Sequence, residues 1–198
     1  MEGKPTLLMT GAEHFEVSYA INPWMDPSAW SEDRDGHFRA AQDASAVLAK
    51  ALAAAGADVI HIAGAPGLPD MVFPANAAIV LDRRALVARF RCTERRGEET
   101  LFLRAFEDFK KCGLIDVVEQ FPQTCFQEGA GDCIWDATRG HFWGGFGQRS
   151  VRKALDVTSN FFGAKVVPLE LISPRFYHLD VCFLPLSGGE VVYYPKAF

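Results

Sequence analysis

The stretch "RFYHLDVCFLPL", Arg175–Leu186, sets a histidine and an aspartate inside a run that otherwise reads as a buried strand. Alternation along such a strand sends His178, Asp180 and Cys182 to one face and Tyr177, Leu179, Val181 and Phe183 to the other. A histidine and a carboxylate two residues apart can converge on one ligand, or form a satisfied core pair. With Cys182 the same face offers three metal donors, a weaker reading because a thiolate beside a hard carboxylate is an unusual set and no second cluster supports it.

Other segments add polar groups of matching character. "CFQEGAGDCIWD" carries Glu128 and Asp132 around two glycines, directly before an apolar run. Glycine lets backbone approach a ligand closely, and the carboxylates offer negative charge. "GLPDMVFPANAAIVLD" places Asp70 and Asn76 on either side of an apolar patch, and "FGQRSVRKA" sets Arg149 ahead of a helix. An arginine there can fork onto a carboxylate, although single arginines are more often solvated. The GGFG run is too short a signal for a phosphate loop. Several carboxylates and one arginine around a partly apolar mouth suit a ligand with a cationic head and an anionic tail. A guanidino amino acid fits that description.

The elements that must position these groups repeat. Phe38, Ala41, Leu48, Leu52 and Ala55 recur at helical spacing from His37 to Gly56. Phe102, Phe106 and Phe109 mark a second helix from about Gly97 to Cys112, and a third follows Ser150, an expected N-cap, to Gly163. Each leads into a β-rich run: "DVIHIA", "LIDVVE" and "KVVPLEL". Short paired strands lie between, "AAIVL" with "ALVARF" and "CIWD" with "HFWGG". The unit is strand, strand, helix, strand, at a period of about 55 residues, which predicts an α/β propeller-like array of ββαβ repeats and not a doubly wound sheet. The closing "EVVYYPKAF" follows a strand pair with no helix after it, so the last unit reads as unfinished.

Bulk properties bound the partners. The 198 residues suffice for one sizeable domain, 1–198, and a net charge of −5 lacks the basic footprint of a nucleic-acid binder. Five scattered cysteines without a CxxC pair make neither a disulfide framework nor a zinc ribbon. No signal-peptide core or membrane-length apolar run is present, so a cytoplasmic protein with no membrane partner is expected.

In order along the chain, "HFEVSYAINPWM", "GLPDMVFPANAAIV", "QEGAGDCIW", "GGFGQRS" and "YHLDVCFLPL" resemble the successive motifs of the guanidine-modifying enzymes: dimethylarginine dimethylaminohydrolases, arginine deiminases and dihydrolases, and amidinotransferases. The resemblance covers the chain from about His14 onward. It implies the pentein fold, a five-bladed α/β propeller of which residues 1–198 would be the N-terminal portion. It also implies a cofactor-free hydrolase of arginine or a methylated arginine, in which a cysteine thiolate attacks the guanidinium carbon. His178 matches the family's general acid, Glu128 and Asp180 its guanidinium-holding carboxylates, and Arg149 its carboxylate-binding arginine. Asn22, Asp70, Phe73, Asn76 and Asp132 match substrate-lining positions. Asn76 in "FPAN" stands where deiminases carry an aspartate, which is similar to the arginine dihydrolase branch, and Pro74 stands where threonine is common. The family's nucleophile sits in a glycine-rich segment for which these residues hold no match, so it is expected beyond Phe198. The contrasting expectation is a non-catalytic pentein that binds a guanidino compound or a protein. An unfinished array would expose a sheet edge and an apolar mouth, so a homo-oligomer is an expected form.

Overall fold

The computed structural model describes residues 4–198, which divide into two compact units with the boundary between Pro74 and Ala75. In the first, β1 (Thr6–Thr10) is followed by α1 (Pro27–Glu32), α2 (Arg34–Ala54) and β2 (Asp58–Ile62), and β1 pairs with β2 in parallel. Asp26 caps α1 by accepting from the amides of Ser28 and Ala29, and Asp33 caps α2 through the amide of Gly36. Phe38, Ala41, Ser45, Ala49 and Leu52 form a half-buried stripe on α2, and no residue of that helix is fully buried. Leu48, expected to face inward, is 51% exposed, beside Val47 at 66%. It lies at the edge of the 3.6-residue stripe, and a two-stranded sheet is too narrow to cover more than the centre of that stripe.

The second unit contains two ββαβ repeats. In the first, β3 (Ala78–Leu81) and β4 (Arg84–Val87) form an antiparallel hairpin, α3 (Glu98–Lys111) crosses over, and β5 (Val117–Gln120) pairs with β4 in parallel. The two-residue turn is Asp82-Arg83, both at positive φ (48° and 59°), the backbone of a tight I′-type turn. The next repeat has β6 (Cys133–Asp136), β7 (His141–Phe146), α4 (Ala154–Phe162) and β8 (Val166–Glu170) in the same order and pairing. A third antiparallel hairpin, β9 (Phe183–Pro185) with β10 (Val191–Tyr193), follows. The expected ββαβ unit is therefore present twice in full. One core gathers Ile79, Leu86, Phe121, Phe142, Ala154 and Phe161, and a second gathers Leu171, Leu179, Cys182 and Phe183.

Two local expectations are corrected. Residues 177–184 are not one strand: a short 3-10 turn, Leu179–Val181, follows His178, and the strand begins only at Phe183. The turn breaks the two-residue alternation, so His178 is buried while Asp180 is exposed. Nor is Ser150 a helix cap. The helix begins at Ala154, with Lys153 in the capping position, because the Ser150 hydroxyl is committed to the polar cluster described next.

Candidate active site

Each hairpin of the second unit is entered through a 3-10 turn: Pro74–Asn76, Gly129–Gly131 and Leu179–Val181. A tight turn ahead of a strand lets the chain arrive from an extended segment and leaves polar side chains at the strand mouth. Asn76, Glu128, Asp132 and His178 all sit at these three turns, within or immediately beside them. Two glycines permit their approach. At Gly129 (φ +62°) a Cβ would fall 2.5 Å from the carbonyl oxygen of Ala75, and at Gly131 it would strike the Asn76 amide nitrogen.

Glu128 is the hub, with no exposed surface. Its Oε1 accepts from the backbone amide of Arg91 at 3.2 Å. Its Oε2 accepts from Arg149 Nη1 at 2.9 Å and meets His178 Nε2 at 2.8 Å. Burial alone would raise this carboxyl, but the hydrogen bond and charge of His178, followed by Arg149 and Arg95, outweigh it and bring Glu128 down to about 2. An ionised carboxylate only accepts, so Nε2 carries the proton in this contact. Arg149 is 4% exposed, and its guanidinium carbon lies 5.1 Å from the centroid of the Tyr177 ring.

Asn76 is oriented by a residue that sequence reasoning missed. Arg95 Nη1 donates to Asn76 Oδ1 at 2.9 Å, and the Asn76 amide nitrogen faces the Glu128 carbonyl at 3.4 Å. Arg95 is itself held by a two-pronged pair to Glu98, at 2.9 and 2.8 Å, and its cation lies 4.4 Å from the centroid of the Phe90 ring. Both members of the pair are almost wholly buried. In "CTERRGEE" these two charges look like an ordinary solvated helix start, and only the tertiary fold reveals their burial.

The remaining expected site residues divide. Asp132 is fully buried, and accepts from the Ser150 hydroxyl at 2.6 Å and from the Leu179 amide at 3.0 Å. Burial pushes its carboxyl up to about 6, against the pull of the His178 charge and the Ser150 hydrogen bond. Asp180 is exposed and close enough to His178 to interact through charge. Asn22, Asp70 and Phe73 belong to the N-terminal unit: Asn22 Oδ1 accepts from the Trp24 amide, Asp70 is 4% exposed and Phe73 is 48% exposed.

Four of the five cysteines are poorly disposed to ionise. Burial pushes the thiols of Cys92, Cys125 and Cys133 up, and burial with the charges of Asp132 and Asp180 pushes Cys182 up to about 11. The Cys182 sulfur turns back onto the carbonyls of His178 and Leu179, away from the disposition required of a ligand beside His178 and Asp180. Among the described residues, no group of three or more His, Cys, Asp and Glu side chains is placed to hold a metal ion, and no helix is long and apolar enough to cross a membrane.

With this geometry in hand, comparison with known proteins gives consistent results. The family model for N,N dimethylarginine dimethylhydrolase, eukaryotic, matches residues 18–197. The bifunctional arginine dihydrolase/ornithine cyclodeaminase ArgZ of Synechocystis sp. is 38% identical over 192 residues, covering 97% of this chain and 26% of that protein. The N(G),N(G)-dimethylarginine dimethylaminohydrolase of Mycobacterium tuberculosis is 36% identical, over 96% of this chain and 58% of the enzyme. The chain thus spans about a quarter of the first relative and somewhat over half of the second. The crystal structure of the N-terminal domain of ArgZ bound to substrate superposes with a TM-score of 0.81 at 36% identity, covering 98% of this chain and 68% of that one. A dimethylarginine dimethylaminohydrolase adduct, at 18% identity and a TM-score of 0.64, shares the fold. The ββαβ repeats and these matches together show that the chain belongs to the dimethylarginine dimethylaminohydrolase family of guanidine-modifying pentein proteins.

Proposed function

We propose that the protein containing this chain hydrolyses carbon–nitrogen bonds at the guanidinium carbon of arginine or a methylated arginine, with arginine dihydrolysis the favoured reaction. The observation that carries the reading is the buried 2.8 Å contact between His178 and an ionised Glu128. A carboxylate that accepts from Nε2 fixes the orientation of the imidazole and the nitrogen that bears its proton, as a group that hands on a proton requires. In the proposed sequence a cysteine thiolate adds to the guanidinium carbon, and the carbon–nitrogen bond breaks as His178 gives a proton to the departing amine. Water, losing a proton to His178, then adds to the same carbon, and the carbon–sulfur bond breaks to return the thiol and leave citrulline. Dihydrolysis repeats the round at the ureido carbon, releasing a second ammonia and a carbamate that loses carbon dioxide to give ornithine. The raised thiols of Cys92, Cys125, Cys133 and Cys182 make these four poor nucleophiles, and Cys112 is exposed at the end of α3 with its sulfur on the Phe109 carbonyl. None lies in a glycine-rich segment of the kind the resemblance implies, so the attacking cysteine is assigned to sequence beyond Phe198.

Asn76 supports dihydrolysis over simple deimination. Its carbonyl oxygen is committed to Arg95, leaving an uncharged amide where the resemblance places a carboxylate in deiminases. Glu128 is assigned to His178, Asp180 to the guanidinium, and Arg149 to Glu128 and the substrate α-carboxylate. The raised cysteines also favour a second reading, in which residues 1–198 bind a guanidino compound without turning it over. Incubating the full-length protein with arginine and, separately, with dimethylarginine separates the outcomes. Ornithine with ammonia supports dihydrolysis, citrulline with ammonia deimination, and citrulline with dimethylamine a dimethylarginine hydrolase. Binding without any product favours the second reading.

A further inference from the structure

Asp132 touches the backbone that follows His178 directly and reaches the backbone of Glu128 through Ser150. Its Oδ1 accepts from the amide of Leu179, the residue after His178, at 3.0 Å. Its Oδ2 accepts from Ser150 Oγ at 2.6 Å, and that oxygen in turn accepts from the amide of Glu128 at 3.2 Å. Asp132 has no exposed surface, and Ser150 is 1% exposed. The packing around it is close: a Cβ at Gly145 would sit 3.0 Å from Asp132 Oδ1 and 3.0 Å from Leu179 Cβ. The Gly145 amide also donates to the Asp132 carbonyl at 2.8 Å, which fixes the residue from its own backbone.

A carboxylate with no exposed surface and a hydrogen bond on each oxygen is badly placed to meet a substrate, the role the resemblance implied for it. We propose instead that Asp132 and Ser150 are positioning residues, forming one buried link that holds the backbone of Glu128 and the backbone after His178 at the spacing their side-chain contact requires. The link is short, and its Ser150–Asp132 member is charge-assisted, so it resists the small displacements that would lengthen the Glu128–His178 contact. The charged groups around His178 are Glu128, Asp132 and Asp180, with Arg149 reaching it through Glu128. Of these, Asp132 binds the backbone amide immediately after His178, that of Leu179. The role in turnover rests on the proposed hydrolase reading; the mechanical link does not.

Two readouts separate those parts. The first needs no substrate: amide hydrogen exchange in the full-length protein. Ser150→Ala removes the acceptor of the Glu128 amide, and if the link is mechanical it also loosens Leu179, which Ser150 does not touch. Both amides are expected to exchange at least about fivefold faster, the scale of one lost net hydrogen bond. Ser150→Thr keeps the oxygen and should stay within about twofold of wild type. Asp132→Asn reads the link from its other end without depending on Ser150→Ala folding. It is expected to speed the Glu128 amide about threefold by weakening a charge-assisted bond. The second readout is kinetic: kcat falls about tenfold or more in Ser150→Ala with KM within about twofold, the signature of misplaced proton transfer and intact binding. Faster exchange at both amides with no turnover even in wild type sinks the hydrolase reading and supports the link. An unchanged Leu179 amide in Ser150→Ala, together with an unchanged Glu128 amide in Asp132→Asn, overturns the link. A rise in KM at constant kcat overturns the positioning role in favour of substrate contact.

Discussion

Both units of this chain carry ion pairs in solvent, but they differ in the pairs and helix faces they enclose. In residues 1–74 the ion pairs Lys4–Asp58 and Arg34–Glu16 stand in solvent, and the long helix α2 buries no residue completely. In residues 75–198 the pairs Arg95–Glu98 and Arg149–Glu128 are almost wholly enclosed, and α3 carries Phe102 and Phe106 at 1% exposure or less. Removing charges from water costs several kcal/mol per ion, roughly, and replacing such pairs by apolar residues is often neutral or stabilising. Enclosed pairs are therefore poor devices for stability alone. Their concentration around His178 is better accounted for by what they orient.

That contrast can be broken most forcefully in the second unit. Phe102→Ala removes a side chain with no exposed surface and should cost about 3–5 kcal/mol in urea unfolding. Glu128→Gln should lower turnover at least about a hundredfold, the scale for a positioned polar group. Because Arg149 then faces a neutral amide in a buried site, a clear loss of melting temperature should accompany it. Asp180→Asn, at an exposed position, should lower turnover with little change in melting. Equal melting of wild type and Glu128→Gln would show that the enclosed pair carries less than its burial suggests.

Arg149→Ala sharpens the assignment of the arginine. Losing a charge-assisted contact to the substrate carboxylate should weaken arginine by about 1.5–3 kcal/mol. A guanidino compound lacking that carboxylate should lose less; equal losses for both ligands would confine Arg149 to holding Glu128.

Acid titration tests the two buried carboxylates against each other. Asp132, at about 6 when folded and about 3.9 in unfolded chains, contributes stability that is complete below about pH 4 and lost as pH rises through 6. Glu128, at about 2 folded against about 4.3 unfolded, contributes stability present above that value and lost as pH falls toward 2. Urea midpoints should therefore rise from pH 7 to about 4.5 and fall below it, with Asp132→Asn flattening the upper limb by on the order of 2 kcal/mol. The smallest effect belongs to the first unit: Leu48→Ala on α2 should change stability by no more than about 0.5 kcal/mol.

The helices and the ββαβ order were legible because apolar periodicity and glycine stops are local signals. Leu48 shows the limit of that signal: spacing predicts a face, but the width of the covering sheet decides which part is buried. The site was legible as residue types at strand mouths, as with Glu128, His178 and Asn76. Its wiring was not. Arg95 and Ser150 both lie downstream of Asn76 in the chain, and the contacts of Arg95 with Asn76 and of Ser150 with Asp132 exist only after the elements that carry them pack. His178 was misread as a strand residue because "YHLDVCFL" alternates correctly for a strand while folding as a turn that precedes one.

The central claim, that the His178–Glu128 pair moves protons at the guanidinium carbon, is tested most directly by intact-mass measurement of the full-length His178→Ala variant after incubation with arginine. The account predicts that the variant stalls at the leaving-group step or at the covalent adduct, carrying arginine with or without loss of one ammonia and releasing no final product, while the wild type returns to its unmodified mass once substrate is consumed. A His178→Ala variant that turns over arginine at the wild-type rate and stays unmodified would contradict it.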